Sequence, residues 1–166
     1  MKNSEVNIGR ATEADLDGIM ELQAENQHAI GGMLSANFSR ARIIEMMNEM
    51  PLIVARHGDH IIAFLMSSTR NVNEDVPIIR AMLNAYPGTA SAYVYGPTCV
   101  SSEERGKGLA QAMYRELRRL EPGREGILFI QRSNQASLRA HEKMGMCEVT
   151  SFVFNGNEYA VFSYFG

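Results

Sequence analysis

Apolar residues in the first part of the chain follow two spacings, one extended and one helical. Residues 6–10, 52–56 and 61–67 have the dense or alternating apolar pattern of strands. The segment after Thr12 and the segment from Ser39 to Met50 place apolar residues three and four positions apart, as one face of a helix requires. The pattern predicts a strand, two helices and a pair of strands, in that order.

Polar residues between these segments indicate where the elements begin and turn. Thr12, with Asp15 three positions later, resembles a helix-capping pair. Residues 57–60, His-Gly-Asp-His, have the composition of a hairpin loop. Because no carboxylate or cysteine partner stands at ligand spacing from the two histidines, we expect solvated loop residues rather than a metal site. The methionines of the second helix are expected to pack in the core.

The middle of the chain is less regular. Residues 69–90 predict a short helix that Asp75 caps and that has Pro77 in its first turn. Residues 92–100 have the pattern of a strand that the Gly96-Pro97 pair interrupts, and this interruption predicts a bulge or a splayed end.

The last third predicts a helix, a buried strand, a second helix and a hairpin. Apolar residues recur on one face from Leu109 to Leu120, and residues 126–131 form a nearly continuous apolar run. Ser133 or Asn134 caps a helix that reaches Met144, and Asn155-Gly156 is a strong two-residue turn signal. The expected cross-strand pairs are Phe152 with Tyr159 and Val149 with Phe162.

The composition is that of an ordinary globular protein. Of 166 residues, 45% are hydrophobic and 21% are charged, and this length predicts one domain that spans residues 1–166. Sixteen Lys and Arg against 19 Asp and Glu give a net charge of −3, which is too balanced for a broad nucleic-acid-binding face. We therefore expect no nucleic-acid partner.

Cysteine usage and hydropathy favour a cytoplasmic protein. Cys99 and Cys147 lie far apart and show no metal-ligand spacing, so we expect reduced thiols and no structural metal. The aliphatic run 61–66 is too short to cross a bilayer, and the amino terminus lacks the basic-then-apolar order of a secretory signal. We expect no membrane partner.

The sharpest chemical signal is the sequence Arg-Gly-Lys-Gly-Leu-Ala at residues 105–110, between a predicted strand and a predicted helix. Main-chain N–H groups at the start of a helix are unpaired, and Gly106 and Gly108 would let a phosphate come close to them. The two basic side chains add positive charge. The pattern indicates a pyrophosphate-binding turn, with a glycine loop in solvent as the alternative.

Two familiar phosphate-binding motifs do not fit this stretch. A Walker loop needs glycine where Ser101 stands, and Ser or Thr where Gly108 follows the lysine. A dinucleotide-binding fingerprint needs a third glycine where Gln111 stands. The nucleoside-triphosphatase and the nicotinamide-cofactor classes are therefore disfavoured.

A second signal lies in the helix that follows Asn134. At about 100° per residue, His141 returns to within about 20° of Asn134, with Ser137 between them on the same side. The helix would present an amide, a hydroxyl and an imidazole to a groove, although a solvated polar face has the same pattern. The stripe expected to face the core consists of Ala136, Ala140 and Met144.

Taken together, these two segments resemble the signatures of the GNAT superfamily of N-acetyltransferases. Residues 105–110 match the family's R/Q-x-x-G-x-G/A acyl-CoA loop, and residues 134–146 resemble its second signature. The resemblance implies an α/β fold of the α+β type, with a central mixed, mostly antiparallel twisted sheet flanked by helices. It also implies a splay between the strands that end near Val100 and Gln131.

The resemblance implies acetyl-CoA as the co-substrate, no metal, and a set of binding residues. Thr98, Cys99 and Val100 would pair with the pantetheine arm through their backbone groups. The pyrophosphate would be held by Arg105, Gly106, Lys107, Gly108, Leu109 and Ala110. Asn134 and Ser137 would contact the cofactor arm, and residue 141 would stand near the thioester sulfur.

His141 is the consequential departure from the family pattern, because the family commonly has tyrosine there. An imidazole with a pKa near 6.5 can protonate a departing thiolate, so we expect His141 to be the catalytic acid. Met146 for phenylalanine and Ser102 for a frequent proline are smaller departures. Cys99 lacks an identifiable histidine partner and is expected to be a small buried residue rather than a nucleophile.

The base stays unassigned, because the residues near the cleft in sequence do not reveal which of them faces it. These residues are Tyr93, Tyr95, Glu103 and Glu104.

The leading hypothesis is an enzyme that moves an acetyl group from acetyl-CoA directly to a primary amine of a small molecule or peptide. The alternatives are a non-catalytic acyl-CoA sensor or scaffold and a transferase for another acyl group. The resemblance implies that acceptor contacts come mainly from residues 25–39 and 69–90, but nothing in these segments identifies the amine. The aromatic C-terminal strands could form a homodimer edge or a buried hairpin.

Overall fold

The computed structural model describes residues 5–26 and 38–166. Twelve helices and strands follow one another in these residues: β1 (Val6–Arg10), α1 (Leu16–Glu25), α2 (Arg40–Glu49), β2 (Ile53–His57), β3 (His60–Thr69), α3 (Pro77–Ala85), β4 (Tyr93–Val100), α4 (Leu109–Leu120), β5 (Glu125–Gln131), α5 (Gln135–Lys143), β6 (Cys147–Phe154) and β7 (Asn157–Phe165). Much of the expected acceptor segment 25–39 lies outside the described residues.

The strands of the described chain form one mixed, mostly antiparallel sheet in the order β1-β2-β3-β4-β5-β7-β6. β4 and β5 are parallel and pair through Tyr93 with Gly126 and Val94 with Ile127. The predicted α/β fold class is confirmed. The short parallel register agrees with the predicted splay between these two strands.

The first of two compact units comprises Met1–Ser67 and Gly96–Leu120. β1 pairs with β2 and β2 with β3, both antiparallel, and α4 packs on β1 and β2. The predicted capping contact is present: the Thr12 N–H donates to Asp15 Oδ2 at 2.8 Å at the start of the short 3-10 turn Glu13–Asp15, which leads into α1. Met46 and Met50 are buried at 1% exposure each, which confirms the expected core role for these two methionines.

The second compact unit comprises Ser68–Tyr95 and Glu121–Gly166. β7 lies between β5 and β6 and pairs antiparallel with both. One buried hydrophobic cluster of this unit joins α3 to the sheet and consists of Ile78, Ile79, Met82, Ala92, Val94, Ile127, Tyr159 and Val161.

The turns of the two hairpins follow local chemistry. Asn155 and Gly156 have φ values of +52° and +81°, as the predicted Asn-Gly turn requires. The first hairpin is tighter than expected, because His57 pairs with His60 and only Gly58 and Asp59 form the turn. The composition of residues 57–60 predicted the position of the loop, but it did not show that the two strands extend to His57 and His60.

One of the two predicted cross-strand pairs is wrong. Phe152 lies opposite Tyr159, and their rings stack with centroids 5.3 Å apart, as predicted. Val149 does not face Phe162, because β6 shifts register there and Glu148 takes that position. A bulge of this kind adds one residue to a strand, which the Asn-Gly turn by itself does not reveal.

Two expectations about the middle of the chain also need correction. Val76, not Asp75, is the residue before α3; its backbone is extended, and Pro77 occupies the first turn. β4 continues through Gly96 and Pro97 to Val100 instead of being interrupted there. The proline-bearing stretch therefore stays in the strand.

The orientation of α5 differs from the prediction. Ala136 and Ala140 are exposed and Met144 is half-buried, whereas His141 is buried at 8% exposure. The face of α5 that carries His141 points into the protein, because the imidazole ring packs edge to face against the ring of Tyr95. Periodicity separated the two faces correctly but assigned the small apolar residues, rather than the imidazole, to the core.

Glu125 is a fully buried carboxylate at the start of β5. It accepts hydrogen bonds from the Tyr86 hydroxyl (2.6 Å), the Thr89 N–H (2.7 Å) and the Ser163 hydroxyl (2.5 Å). Burial alone would raise the pKa of this carboxyl, but the three hydrogen bonds outweigh burial and hold its pKa below the ordinary value. The charged carboxylate therefore ties the segment after α3 to β5 and β7.

Replacing Glu125 with glutamine should lower the free energy of unfolding by about 2 kcal/mol at neutral pH, because one amide oxygen must serve three donors. Since the folded carboxyl has a depressed pKa, its contribution should be complete above its ordinary pKa of about 4.3. The contribution should disappear as the pH falls through the folded pKa. Denaturant unfolding at a series of pH values measures both effects.

The matched control is Glu142→Gln, which alters an exposed carboxyl on α5 and should leave the unfolding free energy nearly unchanged. Equal stability of Glu125→Gln and the wild type at neutral pH would contradict the role assigned to the buried carboxylate.

Candidate active site

The loop between β4 and α4 is left-handed at two glycines. The φ angle is +80° at Gly106 and +78° at Gly108, a conformation that residues with a Cβ rarely adopt. Among the described residues, no heavy atom lies within 4 Å of the position that a Cβ would take at either glycine. The loop needs glycine for its backbone angles, and the space beside its main chain is open.

Main-chain donors gather where α4 begins. The N–H of Ala112 donates to the Gly108 carbonyl at 3.0 Å, and the buried side chain of Leu109 anchors the first turn. Within residues 5–26 and 38–166, no main-chain carbonyl accepts a hydrogen bond from the N–H groups of 105–110. These amides lie at the positive end of a 12-residue helix and can bind an anion.

The Arg105 side chain holds this loop to the end of α1. Its Nη2 donates to Asn26 Oδ1 at 2.8 Å, and its Nε donates to the Val100 carbonyl at 3.2 Å. Asn26 is buried, and its Nδ2 donates to the Leu22 carbonyl at 2.9 Å. Sequence reasoning missed Asn26, because a polar residue after an apolar helical stripe does not reveal a partner 79 positions away.

The second cation of the loop is exposed. Lys107 Nζ lies 3.1 Å from Glu104 Oε1 on the surface. A surface pair of this kind contributes little to stability and can rearrange when a stronger anion arrives. Glu104, one of the four candidates for the base, is therefore engaged with a cation of the loop.

The end of β4 contains the three residues expected to pair with a pantetheine arm. Thr98 Oγ1 is buried and has no hydrogen-bond partner among the described residues. Cys99 is buried beside the Leu22 carbonyl, and burial raises the pKa of its thiol to about 12. A raised pKa keeps the thiol protonated at neutral pH and makes it a poor nucleophile, which agrees with the expectation of a small buried residue. The Val100 carbonyl accepts from Arg105.

Asn134 caps α5 through its side chain. Its Oδ1 accepts a hydrogen bond from the Ser137 N–H at 3.2 Å, which selects Asn134 over Ser133 as the cap. Since the amide oxygen is engaged in the helix start, the NH2 group is the half of the side chain suited to donate to a ligand.

The buried ring of His141 has polar contacts at both nitrogens. Nδ1 lies 2.8 Å from the Ser137 carbonyl oxygen and 3.3 Å from Ser137 Oγ. Nε2 lies 3.3 Å from the Tyr95 hydroxyl, and the two rings meet edge to face with centroids 5.7 Å apart. Because a carbonyl can only accept, this geometry assigns the proton to Nδ1 and leaves the Nε2 lone pair toward Tyr95.

His141 is neutral in its resting state. Burial lowers the pKa of its imidazole, and the hydrogen bond to the Ser137 carbonyl only partly offsets this effect. At neutral pH the ring can therefore accept a proton at Nε2, and it must gain one before it can act as an acid.

The predicted site residues form two groups, one in each compact unit. The first unit contains Thr98, Cys99, Val100, Arg105, Gly106, Lys107, Gly108, Leu109 and Ala110. The second unit contains Asn134, Ser137 and His141. Of the other base candidates, Tyr95 contacts His141, and the Tyr93 hydroxyl bonds to the Tyr164 hydroxyl at 2.5 Å.

A metal-binding cluster and a membrane-spanning helix are both absent from the described residues. No three His, Cys, Asp or Glu side chains in them are grouped so that they could hold a metal ion. Likewise, none of the helices described here has the length and apolar character needed for a membrane span.

Several solved structures share this fold. An N-acetyltransferase from Staphylococcus aureus Mu50 superposes with a TM-score of 0.72 at 18% identity, over 98% of this chain and 99% of that chain. The protein smu.2055 from Streptococcus mutans UA159 gives 0.71 at 19% identity, over 96% and 98%. NAA60 from Arabidopsis thaliana, solved in complex with acetyl-CoA, gives 0.69 at 16% identity, over 97% and 98%.

Because these structures are only 16–19% identical to the chain, they show that the fold is shared, and the family assignment rests on the sequence. No curated protein matches the chain significantly. The model of the acetyltransferase (GNAT) family matches residues 16–146, which include both the glycine turn before α4 and His141 on α5. The chain therefore belongs to the GNAT family of acetyltransferases.

Proposed function

We propose that this protein is an acetyl-CoA-dependent N-acetyltransferase that moves the acetyl group directly to a primary amine of a small molecule or peptide. The observation that carries the proposal is the left-handed turn at Gly106 and Gly108, which leaves main-chain amides available at the start of α4. Membership of the acetyltransferase family and a structural neighbour solved with acetyl-CoA support it.

The residues of the first unit fit coenzyme A. The amides of 105–110 suit a pyrophosphate, because they combine unpaired N–H donors with the positive end of α4. The buried Thr98 Oγ1, which lacks a partner among the described residues, suits a polar group of the pantetheine arm. In the second unit, the NH2 group of Asn134 is suited to donate to a polar group of a ligand.

His141 supplies the proton transfer that the reaction needs. Acetyl-CoA provides a thioester whose carbonyl carbon bonds to the amine nitrogen as the carbon–sulfur bond breaks. The nitrogen must then lose a proton and the sulfur must gain one. A neutral imidazole with a lone pair on Nε2 can take the first proton and deliver it to the sulfur, so His141 becomes the acid of the leaving step only after it has served as the base.

Direct transfer is favoured over an acyl-enzyme because the buried cysteine is a poor nucleophile. The raised pKa of Cys99, about 12, leaves a negligible thiolate fraction at neutral pH.

Turnover of a panel of amines tests the proposal. Purified protein with acetyl-CoA should release free coenzyme A thiol and yield acetylated amine, detected by mass spectrometry. His141→Ala should reduce kcat by about a hundredfold or more, because proton transfer is lost. Tight acetyl-CoA binding without thiol release from any amine would indicate a sensor instead, and faster turnover with a longer acyl donor would indicate another acyl group.

Charge reversal in the loop tests the binding site separately. Arg105→Glu should weaken coenzyme A binding by at least about tenfold, because it places a negative charge beside the amides and removes the contact with Asn26. Calorimetric titration measures the affinity. Arg115→Glu is the matched control, since it makes the same charge change at an exposed position of α4 and should retain most of the affinity. Unchanged affinity in Arg105→Glu would contradict the site.

A further inference from the structure

The Tyr95 hydroxyl is the polar contact of His141 at Nε2. Tyr95 lies in β4 within the second unit and is buried at 4% exposure. Its oxygen stands 3.3 Å from Nε2, on the opposite side of the ring from the Ser137 carbonyl that fixes Nδ1–H. Each nitrogen of the buried imidazole therefore has a polar partner.

A hydroxyl differs from a carbonyl in what it can do for this ring. The carbonyl of Ser137 accepts only, whereas the Tyr95 hydroxyl can donate to a neutral Nε2 and, by rotating its O–H, accept from a protonated one. A buried imidazolium without a partner at Nε2 would leave a charged N–H unsatisfied, which is costly. The hydroxyl thus suits a ring that must gain and lose a proton at Nε2.

Other aromatic side chains hold Tyr95 in place. The ring of Tyr164 meets the ring of Tyr95 edge to face with centroids 5.8 Å apart. The hydroxyls of Tyr164 and Tyr93 lie 2.5 Å apart, and the guanidinium of Arg124 lies over the Tyr93 ring at 5.0 Å. The Tyr95 hydroxyl is therefore positioned by a packed cluster and not by its own strand alone.

We propose that Tyr95 is a positioning residue of the reaction: its hydroxyl pairs with Nε2 of His141 in the resting ring and again in the protonated ring, and it releases Nε2 while that nitrogen takes the proton from the amine or gives it to the sulfur. This inference rests on the proposed function only for its catalytic consequence. Its physical content, the coupling between a hydroxyl and a buried ring, is independent of turnover.

The groups that face the imidazole ring determine whether loss of the Tyr95 hydroxyl raises or lowers the pKa of His141. From β4 the ring faces the Tyr95 hydroxyl, and on α5 it contacts the uncharged Ser137. Hydrogen bonds to a charged group are about twice as strong as bonds between neutral groups. Loss of the hydroxyl therefore penalises the imidazolium more than the neutral ring, and the pKa of His141 should fall further below its ordinary value.

Tyr95→Phe tests the proposal by proton NMR titration of the imidazole. His141→Gln identifies the resonance among those of the four histidines. We expect the pKa of His141 to fall by about half a unit to one unit in Tyr95→Phe. A merely structural role would loosen the packing, admit water and move this pKa upward toward 6.5. An unchanged or raised pKa in the folded variant would overturn the proposal.

Tyr86→Phe is the matched control, because it also deletes a hydrogen-bonded tyrosine hydroxyl of the second unit, but one that donates to Glu125 and belongs neither to the contact between Tyr95 and His141 nor to the aromatic cluster around Tyr95. It should leave the pKa of His141 unchanged. The wild type offers a test that needs no variant: nitrogen-15 shifts should show the proton on Nδ1 and an unprotonated Nε2. A resting Nε2–H tautomer would overturn the proposal even if Tyr95→Phe does not fold.

Kinetics separate this proposal from the proposed function. If amines are acetylated, Tyr95→Phe should lower kcat by about tenfold with little change in acetyl-CoA affinity, and the acid limb of the kcat/KM profile should move to lower pH. If Tyr95→Phe turns over amines with an unchanged acid limb, the positioning role of Tyr95 is wrong, whereas the proposed transferase activity still holds. If no amine is acetylated but the pKa of His141 falls in Tyr95→Phe, the proposed transferase activity is wrong, whereas the coupling between the Tyr95 hydroxyl and the His141 ring still holds.

Discussion

Main-chain amides that open α4 are the constraint on which this account of the protein depends. A helix cannot satisfy its first N–H groups internally, so whatever occupies that end must be an acceptor. Here Gly106 and Gly108 turn the backbone left-handed just before the helix, and Arg105 holds the turn to Asn26 at the end of α1. The candidate site is therefore formed mainly by the backbone, whereas its side chains hold the turn in place and add positive charge.

Features that depend on neighbouring residues could be predicted from the sequence. The bounds of α4, Leu109 to Leu120, were expected from its apolar stripe and match the structure. The Asn-Gly turn at 155–156 also follows from local chemistry, since it needs positive φ at both residues. The two glycines within 105–110 predicted a turn before α4, and both have the positive φ angles that such a turn requires; anion binding there stays a prediction.

Features that depend on distant partners could not be predicted. Asn26 and Arg105 meet across 79 positions, and no spacing rule connects them. The inward row of α5 depends on Tyr95, which packs on His141 and makes an imidazole part of the core. The same burial lowers the pKa of His141 below its ordinary value, and the Ser137 carbonyl, which fixes the proton on Nδ1, leaves Nε2 as the accepting atom.

The most direct measurement is amide NMR of the nitrogen-15-labelled protein during titration with coenzyme A. Coenzyme A should bind saturably and cause the largest shifts at the N–H groups of 105–110, because these donors would form hydrogen bonds with the diphosphate. Binding that leaves these amides unshifted, or no binding at all, would contradict this expectation.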